Sequence, residues 1–200
     1  MSAQPVAGQA VGRQLHKFGG SSLADVKCYL RVAGIMAEYS FPGDMMVVSA
    51  AGSTTNQLIS WLRLSQTDRI SAHQVQQALR RYQSELITGL LPAELAEPLV
   101  ALFTQDLERL AALLDEPMCD ATYAEVVGHG EIWSARLMSA LLNVKGMESE
   151  WLDARSFLRA ERSAQPQVDE GRSYPLLQQL LAQHPNKRLV ATGFICRNDA

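Results

Sequence analysis

Two hundred residues, 47% apolar and 20% charged, have an ordinary globular composition, which excludes disordered, collagen-like and coiled-coil chains. A chain of this length buries roughly 70% of its unfolded surface. The 18 Lys and Arg against 21 Asp and Glu leave a net charge of −3, so no basic field draws the chain to nucleic acid or to an anionic membrane, and any anion site must be built locally.

Residues 1–12 are small, polar and aperiodic and read as a mobile tail. Arg13 to Phe18 is a short mixed run that enters Gly19-Gly20-Ser21-Ser22. Leu23, Val26, Leu30, Ala33 and Met36 then recur at helical spacing, with Ser22 placed as the N-cap, so the opening is strand, glycine turn, helix. Met45 to Ala50 is a continuous apolar run after Pro42-Gly43-Asp44 and predicts a buried parallel strand. From Gln57 to Leu114 the periodicity is helical almost throughout. Pro92 breaks it and Pro98 eases it, which predicts three helices. Ala121 to Val127 leads into Gly128-His129-Gly130-Glu131. A helix through Trp133, Leu137, Leu141 and Val144 follows and ends at Gly146, with Glu131 at its start. Glu148 to Ala154 predicts a strand, Ser173 to Gln183 a helix and Leu189 to Cys196 a second buried strand. Strands alternating with helices imply an α/β fold with a largely parallel sheet.

Three clusters carry candidate chemistry. In Lys17-Phe18-Gly19-Gly20-Ser21-Ser22, two glycines between strand and helix let backbone N–H groups approach a phosphate, the helix start adds a favourable dipole, and Lys17 can place an ammonium on the same anion. A plain turn with a snorkelling lysine fits the same residues. Ser49 to Asn56 follows the second strand. In an open parallel sheet it would lie beside the first loop, with small side chains that leave room and hydroxyls that can donate to a carboxylate; it reads equally as a loop capping the next helix through Ser53 or Thr55. In Gly128-His129-Gly130-Glu131 two glycines expose backbone beside a carboxylate, which is either a site group or a helix-dipole partner. His16, His73, His129 and His184 show no metal-ligand spacing, and His129 orients its loop. Asp115-Glu116 and Asp169-Glu170 read as solvated loop charges, and Arg80, Arg81 and Arg109 as the wet faces of helices. Cys28, Cys119 and Cys196 are an odd number without Cys-x-x-Cys spacing, which points to a reducing compartment. With neither a signal peptide nor an apolar run of ~18 residues, the expected address is the cytoplasm. Of the three thiols only Cys28, near a helix start, has a local feature that lowers a thiol pKa.

Taken in order, these clusters resemble the aspartokinases of the amino-acid kinase family. Lys17 to Ser22, with Ala24-Asp25 after it, is similar to that family's Lys-Phe-Gly-Gly-(Ser/Thr)-Ser start. Ser49 to Asn56 resembles its Ser-Ala-x-x-x-x-Thr-Asn loop, Gly128 to Glu131 its (Ser/Gly)-His-Gly-Glu signature, and Thr192-Gly193-Phe194-Ile195 its Gly-Phe-Ile strand. The likeness runs from about Gln14 to Asp199 and is strongest to the kinase half of the bifunctional members fused to a homoserine dehydrogenase. It implies a three-layer αβα sandwich, ATP and Mg²⁺, and L-aspartate as phosphoryl acceptor. On that resemblance Lys17, Phe18, Gly19, Gly20, Ser21 and Ser22 hold the ATP phosphates, Lys17 being catalytic. Ser49, Thr55 and Glu131 hold aspartate, and no side chain of this chain ligates the metal. The intact protein is expected to be a homo-oligomer that binds neither nucleic acid nor membrane.

The family pattern continues into a Gly-Arg-(Gly/Asn)-Gly-Ser-Asp loop, adenine-binding strands and regulatory domains, and Cys196 stands where a smaller residue is usual. The resemblance therefore implies that residues 13–200 are the N-terminal part of the catalytic domain, inactive alone, without the nucleotide-base subdomain, the regulatory domains or the dehydrogenase. Two other readings compete. One is a non-catalytic fragment that self-associates through an exposed Leu189 to Cys196 edge. The other is a dinucleotide-binding domain, disfavoured because no Gly-x-Gly-x-x-Gly opens the first turn and no acidic residue ends the second strand.

Overall fold

The computed structural model describes residues 12–161 and 167–198. Apart from Gly12, the expected N-terminal tail lies outside the described residues. Four strands, β1 (Leu15–Phe18), β2 (Met45–Val48), β3 (Ser149–Leu152) and β4 (Arg188–Thr192), form one sheet in the order β1-β2-β4-β3, every pair parallel. Six α-helices connect them: α1 (Val26–Tyr39), α2 (Thr54–Ser65), α3 (Arg69–Leu90), α4 (Ala93–Leu114), α5 (Asp120–Val144) and α6 (Glu170–Gln183).

The apolar runs in the strands are continuous because both faces of the sheet are covered. Met46, Val48 and Val190 point into the main core with α1 to α5, whereas Met45, Val47, Leu189, Ala191 and Leu152 point to the other face, where α6 brings Leu176, Leu177, Leu180 and Leu181. This is the expected α/β sandwich, with helices on both sides of a parallel sheet. The predicted helix count between Gln57 and Leu114 holds, with Pro92 as the N-cap of α4 and Pro98 inside it.

From Val126 to Leu142 α5 is buried on nearly every side. Phe103 of α4 meets Trp133 of α5 edge to face with centroids 4.8 Å apart. The Trp133 indole N–H donates to buried Asp106, which also pairs with Arg136, and the Arg136 guanidinium lies over the Trp151 ring at 4.8 Å. One polar strut thus ties α4, α5 and β3 together without an unpaired buried charge.

Several local expectations are corrected. The N-cap of α1 is Asp25, whose carboxylate accepts the Cys28 N–H at 2.8 Å. Ser22 instead closes a 3₁₀ turn over Gly20–Leu23 through its N–H to the Gly19 carbonyl. The inserted turn shifts the helical phase, so Tyr29, Val32, Ala33 and Met36 are buried and Leu30 is 41% exposed. Asp169 is no loop charge; it caps α6 through the Arg172 N–H. Cys119 is a thiol whose position the sequence did not single out. It caps α5, and the Thr122 hydroxyl and N–H hold its pKa below the ordinary thiol value. The strand predicted over Leu189 to Cys196 ends at Thr192 and lies between β2 and β3, paired on both sides. The exposed edge on which the self-association reading stood does not exist.

Candidate functional site

Beyond the carboxyl ends of the four strands lies a cleft of about 1250 Å³, where an open parallel sheet places its ligands. Its lining comes from all three motif clusters: Gly20 and Ser21 after β1, Ser49, Ala50, Gly52, Ser53, Thr55 and Asn56 after β2, and Gly128 and Glu131 of α5. Stretches more than one hundred residues apart in the chain therefore face one space.

Backbone approach brings them together. The Gly52 N–H donates to the Gly20 carbonyl at 2.9 Å, and a Cβ at Gly20 would sit 2.6 Å from the Ala50 carbonyl oxygen. A Cβ at Gly130 would sit 2.7 Å from the Ala50 Cβ. Ala50 is thus clamped between the first turn and α5, and only glycine fits on either side of it. Gly52 takes φ +53°, the left-handed region. The Tyr82 hydroxyl backs it and donates to the Ala24 carbonyl at 2.9 Å; partial burial pushes that phenol up to about 12.

Gly128-His129-Gly130-Glu131 does not precede a helix. It lies in the middle of α5, so Glu131 is no first-turn dipole partner. The glycines that suggested a break are there because α5 crosses the sheet loops at close range. Gly128 faces Ile195 Cγ2, 3.0 Å from where its Cβ would be. Glu131 is 5% exposed, and its Oε1 accepts the Ala50 N–H at 3.3 Å. Burial raises its carboxyl pKa, and that one hydrogen bond only partly opposes the rise. A carboxylate held this way favours a cationic ligand group that restores its lost hydration.

His129 orients structure, as expected, but within the helix. Nδ1–H donates to the Glu125 carbonyl at 2.6 Å, and Nε2 accepts from Arg109 at 2.7 Å, which assigns the neutral tautomer. Burial lowers its pKa in the same sense. Arg109 is accordingly more than a wet-face residue, since it also pairs with Glu125 at 2.8 Å.

Of the sequence-derived candidates, Gly20, Ser21, Ser49, Thr55 and Glu131 line the cleft, whereas Lys17, Phe18, Gly19 and Ser22 do not. The Phe18 ring packs against the main core, and Lys17 stands at the rim with its Nζ 5.6 Å from the centroid of Phe194, itself a lining residue. Sequence reasoning missed Glu125, Asp153 and Arg155 on the far wall. The Arg155 guanidinium bridges Asp153 and Glu125, each at 2.6 Å, and these pairings, the bonds to Asp153 foremost, raise its pKa. Burial pushes Glu125 up, but the hydrogen bond from Arg109 and the charges of Arg155 and Arg109 bring its carboxyl below the ordinary value. The available signal was position: Asp153-x-Arg155 directly follows a parallel strand, where site residues gather. Among the described residues no group of three His, Cys, Asp or Glu could hold a metal ion, and no described helix is long and apolar enough to cross a membrane.

This chain is 80% identical over 191 residues to the bifunctional aspartokinase/homoserine dehydrogenase 2 of Escherichia coli K12, a match covering 96% of this chain and 24% of that protein. It is 27% identical over 188 residues to the chloroplastic bifunctional aspartokinase/homoserine dehydrogenase 2 of Arabidopsis thaliana, covering 90% of this chain and 20% of that protein. The solved structure of E. coli aspartokinase III in complex with aspartate and ADP shares the fold, with a TM-score of 0.82 at 23% identity over 92% of this chain and 41% of that one. The chain spans between a fifth and a quarter of the length of these bifunctional relatives. Residues 12–200 match the family model described as the amino acid kinase family, and with nearly its whole length matched this chain belongs to that family.

Proposed function

We propose that the intact protein is an aspartate kinase that transfers the γ-phosphoryl group of MgATP to the β-carboxylate of L-aspartate, and that residues 13–200 are the N-terminal part of its catalytic domain. The observation that carries this reading is the convergence of the three motif clusters on one cleft. The 80% identity to a bifunctional aspartokinase supports the choice of substrates.

The chemistry asks for alignment more than for acid–base work. An aspartate side chain ordinarily titrates near ~3.9, so the acceptor carboxylate is ionised at neutral pH and no general base is needed. One carboxylate oxygen forms a bond to the γ-phosphorus while the bridging oxygen leaves with ADP; the product is 4-phospho-L-aspartate. Two anions must be held in line as charge spreads over the transferring oxygens. Lys17 at the rim and the backbone of Phe18, Gly19, Gly20, Ser21 and Ser22 are assigned to the phosphates. Mg²⁺ arrives on the nucleotide as part of the substrate. Glu131 is assigned to the α-ammonium of aspartate, which its buried carboxylate suits and a phosphate would not. Ser49 and Thr55, on the same cleft wall, are assigned to the α-carboxylate as hydroxyl donors. The partners are thus L-aspartate and MgATP, and the intact protein is taken as a cytoplasmic homo-oligomer.

A coupled hydroxamate assay with ATP and aspartate tests the assignment. The intact protein is expected to form aspartyl hydroxamate and this chain alone to form none. An inactive intact protein would remove the reading, and activity in the short chain would remove the incompleteness of its site.

A further inference from the structure

We infer that Phe194 is a positioning residue whose ring holds the Lys17 ammonium at the mouth of the cleft, where the nucleotide phosphates are to arrive. The inference rests on the proposed role of Lys17 and adds a residue whose side chain that role does not require. Among the described residues, Phe194 is the only non-glycine with a positive φ, +54°. A bulky side chain in that region is strained, and such strain persists only where the surroundings impose it. The imposing contacts lie on either side of it. The Gly193 N–H donates to the Val48 carbonyl at 2.8 Å and a Cβ at Gly193 would stand 3.0 Å from that oxygen, so the end of β4 is locked onto the end of β2. On the other side Ile195 turns inward against Gly128 of α5. Between these anchors the backbone turns Phe194 outward.

Burial does not explain why an aromatic ring occupies this position, because Phe194 is 83% exposed. What the ring has gained is a cation. Lys17 Nζ lies 5.6 Å from its centroid, within cation–π range, and among the described residues no carboxylate pairs with Lys17. A lysine side chain carries large rotamer freedom, and a ring that restricts it beforehand lowers the ordering cost when an anion binds. At an exposed site the attraction is weak enough to yield to a phosphate, and its loss is worth about 2–5-fold in affinity.

The test uses the intact protein and a double-mutant cycle. Phe194→Leu should raise the KM for MgATP about 2–5-fold and leave the KM for aspartate and the melting midpoint unchanged, whereas Phe194→Tyr, which keeps the ring, should behave as the parent. In a Lys17→Ala background Phe194→Leu should have no further effect on MgATP. A rise of the same size with and without Lys17 would overturn the inference. So would an unchanged KM in Phe194→Leu beside an impaired Lys17→Ala, an outcome that spares the role of Lys17. Normal kinetics in Lys17→Ala would remove that role and the positioning of Lys17 with it.

Discussion

Gly19-Gly20 and Gly128-x-Gly130 look alike in the sequence, both small-residue interruptions next to a group with chemistry to offer, yet they are built differently. The first is a 3₁₀ turn at the end of a strand, the second a stretch of unbroken helix. None of the four glycines has a positive φ; among the described glycines that conformation belongs to Gly43, Gly52 and Gly146. Space is what Gly20, Gly128 and Gly130 provide, because each removes a Cβ that would meet Ala50 or Ile195, whereas a Cβ at Gly19 would meet nothing within 4 Å. A glycine pair thus marks a missing side chain and leaves open whether the chain turns there or another segment comes close.

Phosphate is assigned to the turn and aspartate to the helix, and kinetics can break that division. Lys17→Ala in the intact protein should lower turnover by about 10²–10³, the scale for losing one electrostatic donor to a transition state; near-normal kcat in the hydroxamate assay would take Lys17 out of the chemistry. Glu131→Gln should leave the KM for ATP alone and raise that for aspartate roughly 10–100-fold, as for a lost hydrogen bond to a charged group. The reverse pattern would exchange the two assignments. Because burial raises the Glu131 pKa, the folded state holds its proton more tightly than the unfolded state does, and the ionised side chain costs stability as pH rises through the folded pKa. Glu131→Gln should therefore melt higher than the parent at neutral pH while binding aspartate worse.

Packing sharpens the same comparison. Gly20→Ala and Gly130→Ala should each cost about 1–3 kcal/mol in urea unfolding, with Gly20 at the upper end because its obstacle is a backbone oxygen. Gly19→Ala should leave stability nearly unchanged, so any loss of ATP affinity in that variant would report a ligand that needs the missing Cβ. The smallest effect is set by pH. His129 has a folded pKa below its unfolded value, so the unfolded state binds the extra proton, and stability is full above the unfolded pKa of ~6.5 and falls as pH drops below it. A melting midpoint that declines from pH 7 to 5 in the parent should decline less in His129→Gln.

Much of this was legible in residue order. The runs at Met45 and Leu189 read as buried parallel strands because both sheet faces are covered, and Pro92 divided the long helical stretch where α4 begins. The cap of α1 was misplaced because Ser22 and Asp25 are both good N-caps, and only the inserted 3₁₀ turn selects Asp25. Arg109 and Glu125 carried no local signal, since a charged residue on a helix reads as solvated until its partner is known, and Arg155 offered only its place after a strand.

The sequence by itself determined the alternation of strands and helices, the three clusters that line the cleft, and the resemblance that joined them, because periodicity and short motifs are local properties. Tertiary structure alone decided that Gly128 to Glu131 is helical, that β4 is an interior strand with no edge to offer, and that Phe194 stands over Lys17. Each of these depends on which segments touch, and a Cβ clash, a sheet order or a cation over a ring has no counterpart in a linear pattern.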